Sequence, residues 1–331
     1  MKRLYSAIIL LCLILAFGYY KEQQPMKISR DHIPEVGILQ LTEHPALDAI
    51  HHGIIQGLKE SGFQPGKNIK IDFQNAENDQ SNLKTMSTKF ANENVDLSIG
   101  IATPSAQVLA NTVKNRPLVL GAITDPKSAG LVDSNQKPGR NTTGVSDLPP
   151  MKQQIDLIKQ IMPHMKTLGI IYTSSDDSAT SQYQRFTQLC KQEGIRVKGY
   201  SIANTNDLNQ VATQMVQNVD AVYVPNDNTV ASAIQTLVAV ANKRNVPIFP
   251  TASNVVKNGG LATYGLNQFK LGVETGKVTA QILKGKNASN MPIQTLNRGD
   301  LAINLNQAKK LGINIPQSLI QKAERQGVIY K

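Results

Sequence analysis

Only two cysteines occur in the 331 residues, too few for a disulfide framework. Cys12 lies within an N-terminal apolar run, which leaves Cys190 alone in the rest of the chain. With that first run set aside, the composition excludes a multi-span membrane protein. Catalytic signatures are missing too. There is no Gly-x-Ser-x-Gly elbow, no phosphate loop ending in Gly-Lys-Ser/Thr, no Gly-x-Gly-x-x-Gly and no His-Glu-x-x-His. Charged residues are 18% and hydrophobic ones 40%, a balance that excludes a disordered chain or a collagen-like repeat. What the chain has in excess is positive charge, 35 Lys and Arg against 24 Asp and Glu, for a net +11. Taken alone, that charge permits nucleic acid or an anionic membrane surface as a partner. The length suggests two domains, each able to bury a core.

The amino terminus has the form of an export signal. Lys2 and Arg3 precede the apolar run from Ala7 to Phe17, Gly18 follows, and polar sequence begins at Lys21. Ala16 and Gly18 have the spacing a signal peptidase prefers, so residues 1–20 read as a signal peptide cleaved after Gly18 or as a retained anchor. Residues 21–34 read as a polar tether. Leu10 and Leu11 precede Cys12, where lipid attachment needs small residues, so lipidation is not expected. The expected location is extracytoplasmic, either free outside the cell membrane or held at its outer face. Loss of residues 1–18 removes Lys2 and Arg3 and takes the charge from +11 to +9.

From Val36 the chain alternates strand and helix. Strands are expected at Val36–Leu41, Ile69–Phe73 and Leu97–Ile101, with helices running to Glu60 and, capped by Asp79, to Asn92. Thr103 is expected to cap a third helix with Pro104 at its first position. The second half repeats the order, with strands at Leu168–Tyr172 and Ile195–Ser201 and helices at Ala179–Glu193 and Asp207–Gln217. A short strand at Leu301–Leu305 and a helix near Pro316–Arg325 close the chain. This alternation predicts an α/β fold of two similar doubly wound lobes with parallel sheets. Gly130 to Pro150 and Gly259 to Gly265 read as crossings between lobes, hence as a hinge. The expected division is 35–143 with about 266–292 for one lobe, and 144–265 with about 293–331 for the other.

Polar residues collect at the carboxyl ends of these strands, where open α/β sheets bind ligands. The candidate binding residues are Glu43, His44, Thr103, Ser105, Thr124, Asp125, Ser146, Asp147, Asp227 and Asn228. Helix starts offer free N–H groups to a carboxylate, while Glu43, Asp125 and Asp227 are placed to face an ammonium group. Together they suit a zwitterion such as an amino acid. Thr103 and Asp227 would equally be favoured as plain helix caps. His44, His51 and His52 are the only histidine cluster, without a cysteine or paired acid, so no metal is expected. Cys190 sits at an apolar helical position and reads as core. Val145-Ser146-Asp147 resembles part of a nucleophile turn but lacks the second glycine.

Several of these stretches resemble one family. They are Glu43-His44-Pro45-Ala46-Leu47-Asp48, Ile101-Ala102-Thr103-Pro104-Ser105-Ala106-Gln107, Thr124-Asp125-Pro126 with Gly130-Leu131-Val132, Thr142-Thr143-Gly144-Val145-Ser146-Asp147, Tyr223-Val224-Pro225-Asn226-Asp227-Asn228-Thr229 and Ala262-Thr263-Tyr264-Gly265. In this order they are similar to the substrate-binding proteins of tryptophan/tyrosine-type ABC transporters. The resemblance runs from about Val36 to Lys286. It implies a type I periplasmic-binding-protein fold with three crossings, an aromatic amino acid in the cleft, an ABC permease as membrane partner, no cofactor and a monomer. It also implies that the ten candidate positions line the cleft. Two features depart from the family: Asn226 stands where Thr is common, and the lipid-modified Cys is missing. Three other roles compete with this reading. A sensor would share this fold and signal to a membrane partner; a repressor would need a helix-turn-helix ahead of the first lobe, where the apolar signal lies. An enzyme would need a nucleophile, base and orienting group together, which the sequence does not supply.

Overall fold

The structure is a computed structural model that describes residues 32–296 and 299–331. The signal or anchor segment, and the tether through residue 31, lie outside the described residues. The chain begins with β1 (Glu35–Gln40), α1 (Pro45–Glu60), β2 (Lys70–Asn75), α2 (Gln80–Asn92), β3 (Leu97–Ile101), α3 (Thr103–Thr112), β4 (Leu118–Gly121) and β5 (Thr142–Ser146). It continues with α4 (Met151–Ile161), β6 (Thr167–Thr173), α5 (Asp177–Gln192), β7 (Arg196–Ile202), α6 (Leu208–Met215), β8 (Ala221–Val224), α7 (Asn228–Ser232), α8 (Ile234–Asn242), β9 (Ile248–Pro250), α9 (Ser253–Lys257) and β10 (Ala262–Gly265). It ends with α10 (Gln268–Leu283), β11 (Gln294–Thr295), β12 (Asp300–Asn304), α11 (Leu305–Leu311), α12 (Gln317–Gln326) and β13 (Gly327–Tyr330).

Six strands form the sheet of the first lobe in the order β11-β5-β4-β3-β1-β2, all parallel. The inner strands β3, β4 and β5 are buried along their whole length, as helices on both faces require. Edge strand β2 is only partly covered and carries the polar residues Asp72 and Gln74. In the second lobe the parallel sheet β7-β6-β8-β9 is joined by a small mixed sheet, β10-β12-β13. One apolar cluster spans both, from Leu168 and Phe249 to Leu261 and Ile303. Cys190 lies in that cluster, fully buried, and burial pushes its thiol up to about 12.

Sheet membership places the crossings after β5, between β10 and α10, and between β11 and β12. The expected boundary at 143/144 therefore falls inside β5, and β11 lies in the first sheet although residues from about 293 were expected in the second lobe. Gly259 and Gly260 form a turn before β10 within the second lobe, so the crossing comes later, at Leu266-Asn267. Strands β11 and β13 were not foreseen. The first has two residues, and the second has four and begins at Gly327, the residue that ends α12.

Among the described residues, six of the twelve helices start at a side-chain cap. Asp79 caps α2 through the N–H of Asn82, and Gly62 and Gly194 take positive φ beyond α1 and α5. Thr103 is not one of these caps. It is the first residue of α3, and the capping position falls to Ala102, whose side chain has nothing to offer.

Candidate functional site

A cavity of about 60 Å³ lies between the lobes at the carboxyl ends of their strands. It is reached from β1 by His44, from β3 by Thr103, from β4 by Thr124, from β5 by Asp147, from β6 by Asp176 and from β8 by Asn226, Asp227 and Asn228. Leu47, Ile50, Val224, Pro250 and Val255 form an apolar wall. Gln268, at the start of α10, also faces it.

Short hydrogen bonds fix the polar side chains. Gln40 donates from Nε2 to the Thr42 carbonyl at 2.9 Å and to Asp48 Oδ1 at 2.8 Å, which holds the turn between β1 and α1. His44 caps α1 by accepting the Ala46 N–H on Nδ1 at 3.2 Å. In the neutral ring this leaves the proton on Nε2, and burial holds the His44 pKa below its ordinary value against the pull of Asp48. Thr124 Oγ1 donates to Asp147 Oδ1 at 2.7 Å, Asn226 Nδ2 donates to Asp147 Oδ2 at 3.0 Å, and Thr251 Oγ1 donates to Asn226 Oδ1 at 2.5 Å. This chain of bonds runs from one lobe, through the first crossing, into the other. Burial pushes Asp147 up to about 7 and Asp176 to about 6, and the charge of Asp227 adds to the rise at Asp176.

Of the ten residues read from the sequence, His44, Thr103, Thr124, Asp147, Asp227 and Asn228 line the cavity. Four do not. Glu43 is exposed beside it. Ser105 is fully buried in the first turn of α3, and its hydroxyl has no partner among the described residues. Ser146 holds the crossing turn, donating to the Thr124 carbonyl at 2.9 Å and accepting the Leu148 N–H at 3.2 Å. Asp125 sits at the rim. Its carboxylate accepts from the Ser128 N–H and hydroxyl and, across the cleft, from Ser181 Oγ at 2.8 Å. Gln107 makes a second bridge, donating to Asp177 Oδ2 at 3.2 Å. Asp176, Ser178 and Gln268 line the cavity although sequence reasoning passed over them. Asp176 has a usable signal: an Asp in the short turn between a strand and a helical stretch is a cap, and here it caps α5.

The backbone at this cavity is strained. Ala102 has φ 74 and ψ 154, a region that belongs to glycine, and Ala122 has φ 59. Such residues cost about 1–3 kcal/mol and cluster where a ligand is gripped. Relief of that strain, less the greater unfolded freedom of glycine, leaves a gain of about 1 kcal/mol for Ala102→Gly. Chemical denaturation of the ligand-free variant checks this; a lower midpoint would mean that Ala102 is not strained.

The three histidines do not gather. His44 faces the cavity, whereas His51 stacks on Phe73 with ring centroids 4.0 Å apart and on His52 at 5.7 Å. Among the described residues, the group of three potential metal ligands is Glu35, Asp72 and Glu93 on the first lobe, and Lys70 and Lys89 already pair with them.

Known proteins share this chain's sequence pattern and fold. The family described as ABC transporter substrate binding protein matches residues 35–326. A tyrosine-binding protein of Clostridioides difficile is 36% identical over 276 residues, covering 83% of this chain and 80% of that protein. The crystal structure of a Streptococcus pneumonia ABC domain in complex with L-Trp is 41% identical, with a TM-score of 0.86 over 90% of this chain and all of that one. The ligand-free, open structure of a Clostridium difficile substrate binding protein with adhesive properties is 36% identical, with a TM-score of 0.71 over the same share of each chain.

Proposed function

The chain belongs to the family of ABC transporter substrate binding proteins, and on that premise we propose that it binds a zwitterionic aromatic amino acid between its lobes and hands it to a membrane permease. Its family and fold are those of a solute-binding protein, not of an enzyme. The observation that carries the reading is the make-up of the cavity. An apolar wall suits a ring, buried carboxylates suit an ammonium group, and helix α3 begins at the cavity without a side-chain cap. The first-turn N–H of Thr103 therefore lacks an intrahelical partner and suits the ligand's carboxylate. The tryptophan carried by one relative and the tyrosine named for another support the aromatic class. The better superposition on the tryptophan complex than on the ligand-free open relative supports a closed arrangement of the lobes. The signal-like residues 1–20 support function outside the cytoplasmic membrane, by cleavage or by anchoring, and the net positive charge suits a surface near an anionic envelope.

The chain has no tryptophan, so emission from bound L-tryptophan is read without background from the protein. Titration with L-tryptophan, L-phenylalanine and L-tyrosine is expected to show saturable binding, with a rise in melting temperature equivalent to about 2.7 kcal/mol at a hundredfold excess over Kd. No response to any of the three would overturn the aromatic reading.

Closure of the lobes sets the population able to hold ligand. The rim bridges Ser181 to Asp125 and Gln107 to Asp177 form only when the lobes meet. Removing both with Gln107→Ala and Ser181→Ala is expected to cost about 1 kcal/mol of closure, a roughly fivefold weaker apparent affinity. Small-angle scattering should show the variant opening further than the wild type without ligand. An unchanged profile and unchanged affinity would mean that the rim contributes nothing to closure.

A further inference from the structure

We infer that Asp147, in the first crossing, and Asp176, at the head of the second lobe's α5, form a two-carboxylate clamp that takes the cationic amine of the ligand. The inference deepens the amino-acid reading above and rests on it.

Three carboxylates line the cavity, and their remaining hydrogen-bonding capacity separates them. Asp227 is committed to the fold. Its Oδ1 accepts from Thr173 Oγ1 at 2.9 Å and from the Val230 N–H at 3.0 Å, and its Oδ2 accepts from the Thr173 N–H at 2.5 Å. It ties β6 to the start of α7. Asp147 has one side-chain donor on each oxygen, Thr124 and Asn226, out of roughly four acceptor sites in a carboxylate. Asp176 accepts the Ser178 and Ala179 N–H groups on Oδ1 alone, at 2.8 and 3.0 Å, and its Oδ2 takes no hydrogen bond from any described residue. Asp147 stands at the end of the first lobe's β5, and Asp176 caps the second lobe's α5. A cation between them would tie the first crossing to the head of α5 in the second lobe.

No lysine or arginine is among the described residues that line the cavity. The charged or titratable groups facing the pair are His44, whose pKa burial lowers, and Asp227, with Asp177 next in the chain at the start of α5. Arg185 acts at the rim, on Asp125. A buried acid and a half-buried one facing the same cavity without a resident cation are costly when both are ionised, so the positive charge has to arrive with the ligand. The raised pKa values of both acids follow from the same burial and from the charge each group meets in the other carboxylates. An arriving ammonium would then displace a proton.

Calorimetric titration of the full mature protein at pH 6.5, in two buffers of different ionisation enthalpy, tests the clamp. The probes are L-tryptophan, L-tyrosine, L-leucine and the amine-less 3-(indol-3-yl)propanoate. L-Tryptophan should bind at least thirtyfold more tightly than the amine-less acid, with release of part of a proton. D147N and D176N should each weaken L-tryptophan binding at least tenfold while binding the amine-less acid as well as the wild type does, which excludes simple misfolding. Equal affinity for tryptophan and its amine-less analogue, or unchanged tryptophan affinity in both variants, would overturn the clamp. Binding of L-leucine alone, lost in D147N and D176N, would uphold the clamp and remove only the aromatic reading. Binding of no amine at all would remove both.

Discussion

Gly57→Val is expected to destabilise the protein by 3 kcal/mol or more. Helices α1 and α10 lie against each other through two glycine pairs, Gly53 with Gly57 and Gly272 with Gly276. A Cβ at Gly57 would stand 2.1 Å from the Val273 carbonyl oxygen, and one at Gly276 would stand 2.3 Å from that of Ile54. Gly53 and Gly272 would meet carbonyl oxygens at 2.2 and 2.1 Å. Each obstacle is backbone, so no rotamer change relieves it and the helices have to separate. Overpacking a core commonly costs about 1–3 kcal/mol, and here the added separation would also loosen the buried residues Ile50, Ile54 and Leu58 along the seam. Two glycines also weaken α1 by about 1 kcal/mol each relative to alanine, so only the close approach explains them. Gly62→Ala supplies the contrast. Gly62 has φ 96 and nothing within 4 Å of a built Cβ, so its cost should be only about 1–2 kcal/mol, from the left-handed backbone. Denaturant midpoints for the two variants check this; a Gly57→Val protein as stable as Gly62→Ala would show that the seam can open at little cost.

The second large effect is on stability against pH. A carboxyl whose pKa is raised in the folded state keeps a proton that the unfolded chain releases. Its contribution is fully present below the unfolded value, near 3.9, and is lost as the pH rises through the folded value. For Asp147 that window runs from about pH 4 to about 7, and for Asp176 to about 6. His44 and His51 oppose this at the acid end, because their lowered pKa values give stability above the unfolded value that is lost as the pH falls. The contribution of Asp147 is therefore read as wild type minus Asp147→Asn. That difference should fall by a few kcal/mol, on the order of 1.4 per pKa unit, between pH 4 and pH 8 in the ligand-free protein. Saturating L-tryptophan should flatten or reverse it, because an ammonium beside Asp147 favours the ionised acid. A flat difference without ligand would mean that Asp147 is hydrated and ionised throughout.

Much of the scaffold was legible along the chain. Leu97–Ile101 alternates Leu, Ile and Ile with the small Ser98 and Gly100 and is closed by a turn, and it is β3 as read; Asp79 and Gly62 mark helix ends by local chemistry that no distant residue alters. Thr103 misled because the same chemistry depends on where the backbone turns. The chain enters α3 one residue earlier, with Ala102 forced to positive φ against the end of β3. The glycine pairs of α1 and α10 are spaced four apart in the sequence, yet neither helix alone says which partner comes close enough to need them. Asp125 illustrates the same limit within the site. Its position after β4 brings it to the ligand end of the sheet, but α5 of the other lobe claims it through Ser181, 56 residues away.

The sequence by itself determined the alternation of strands and helices, the sheet end at which polar residues gather, and the family. These follow from periodicity, capping and ordered motifs, all of which act over a few residues. Only the tertiary structure decided which acids are free to meet a ligand. Asp227 and Asp147 look alike as residues at strand ends, but Thr173 and Val230 fill most of the first with three hydrogen bonds, while Thr124 and Asn226, the latter 79 residues from Asp147, leave the second partly open. Spare hydrogen-bonding capacity depends on donors brought from distant parts of the chain, and no local pattern records it.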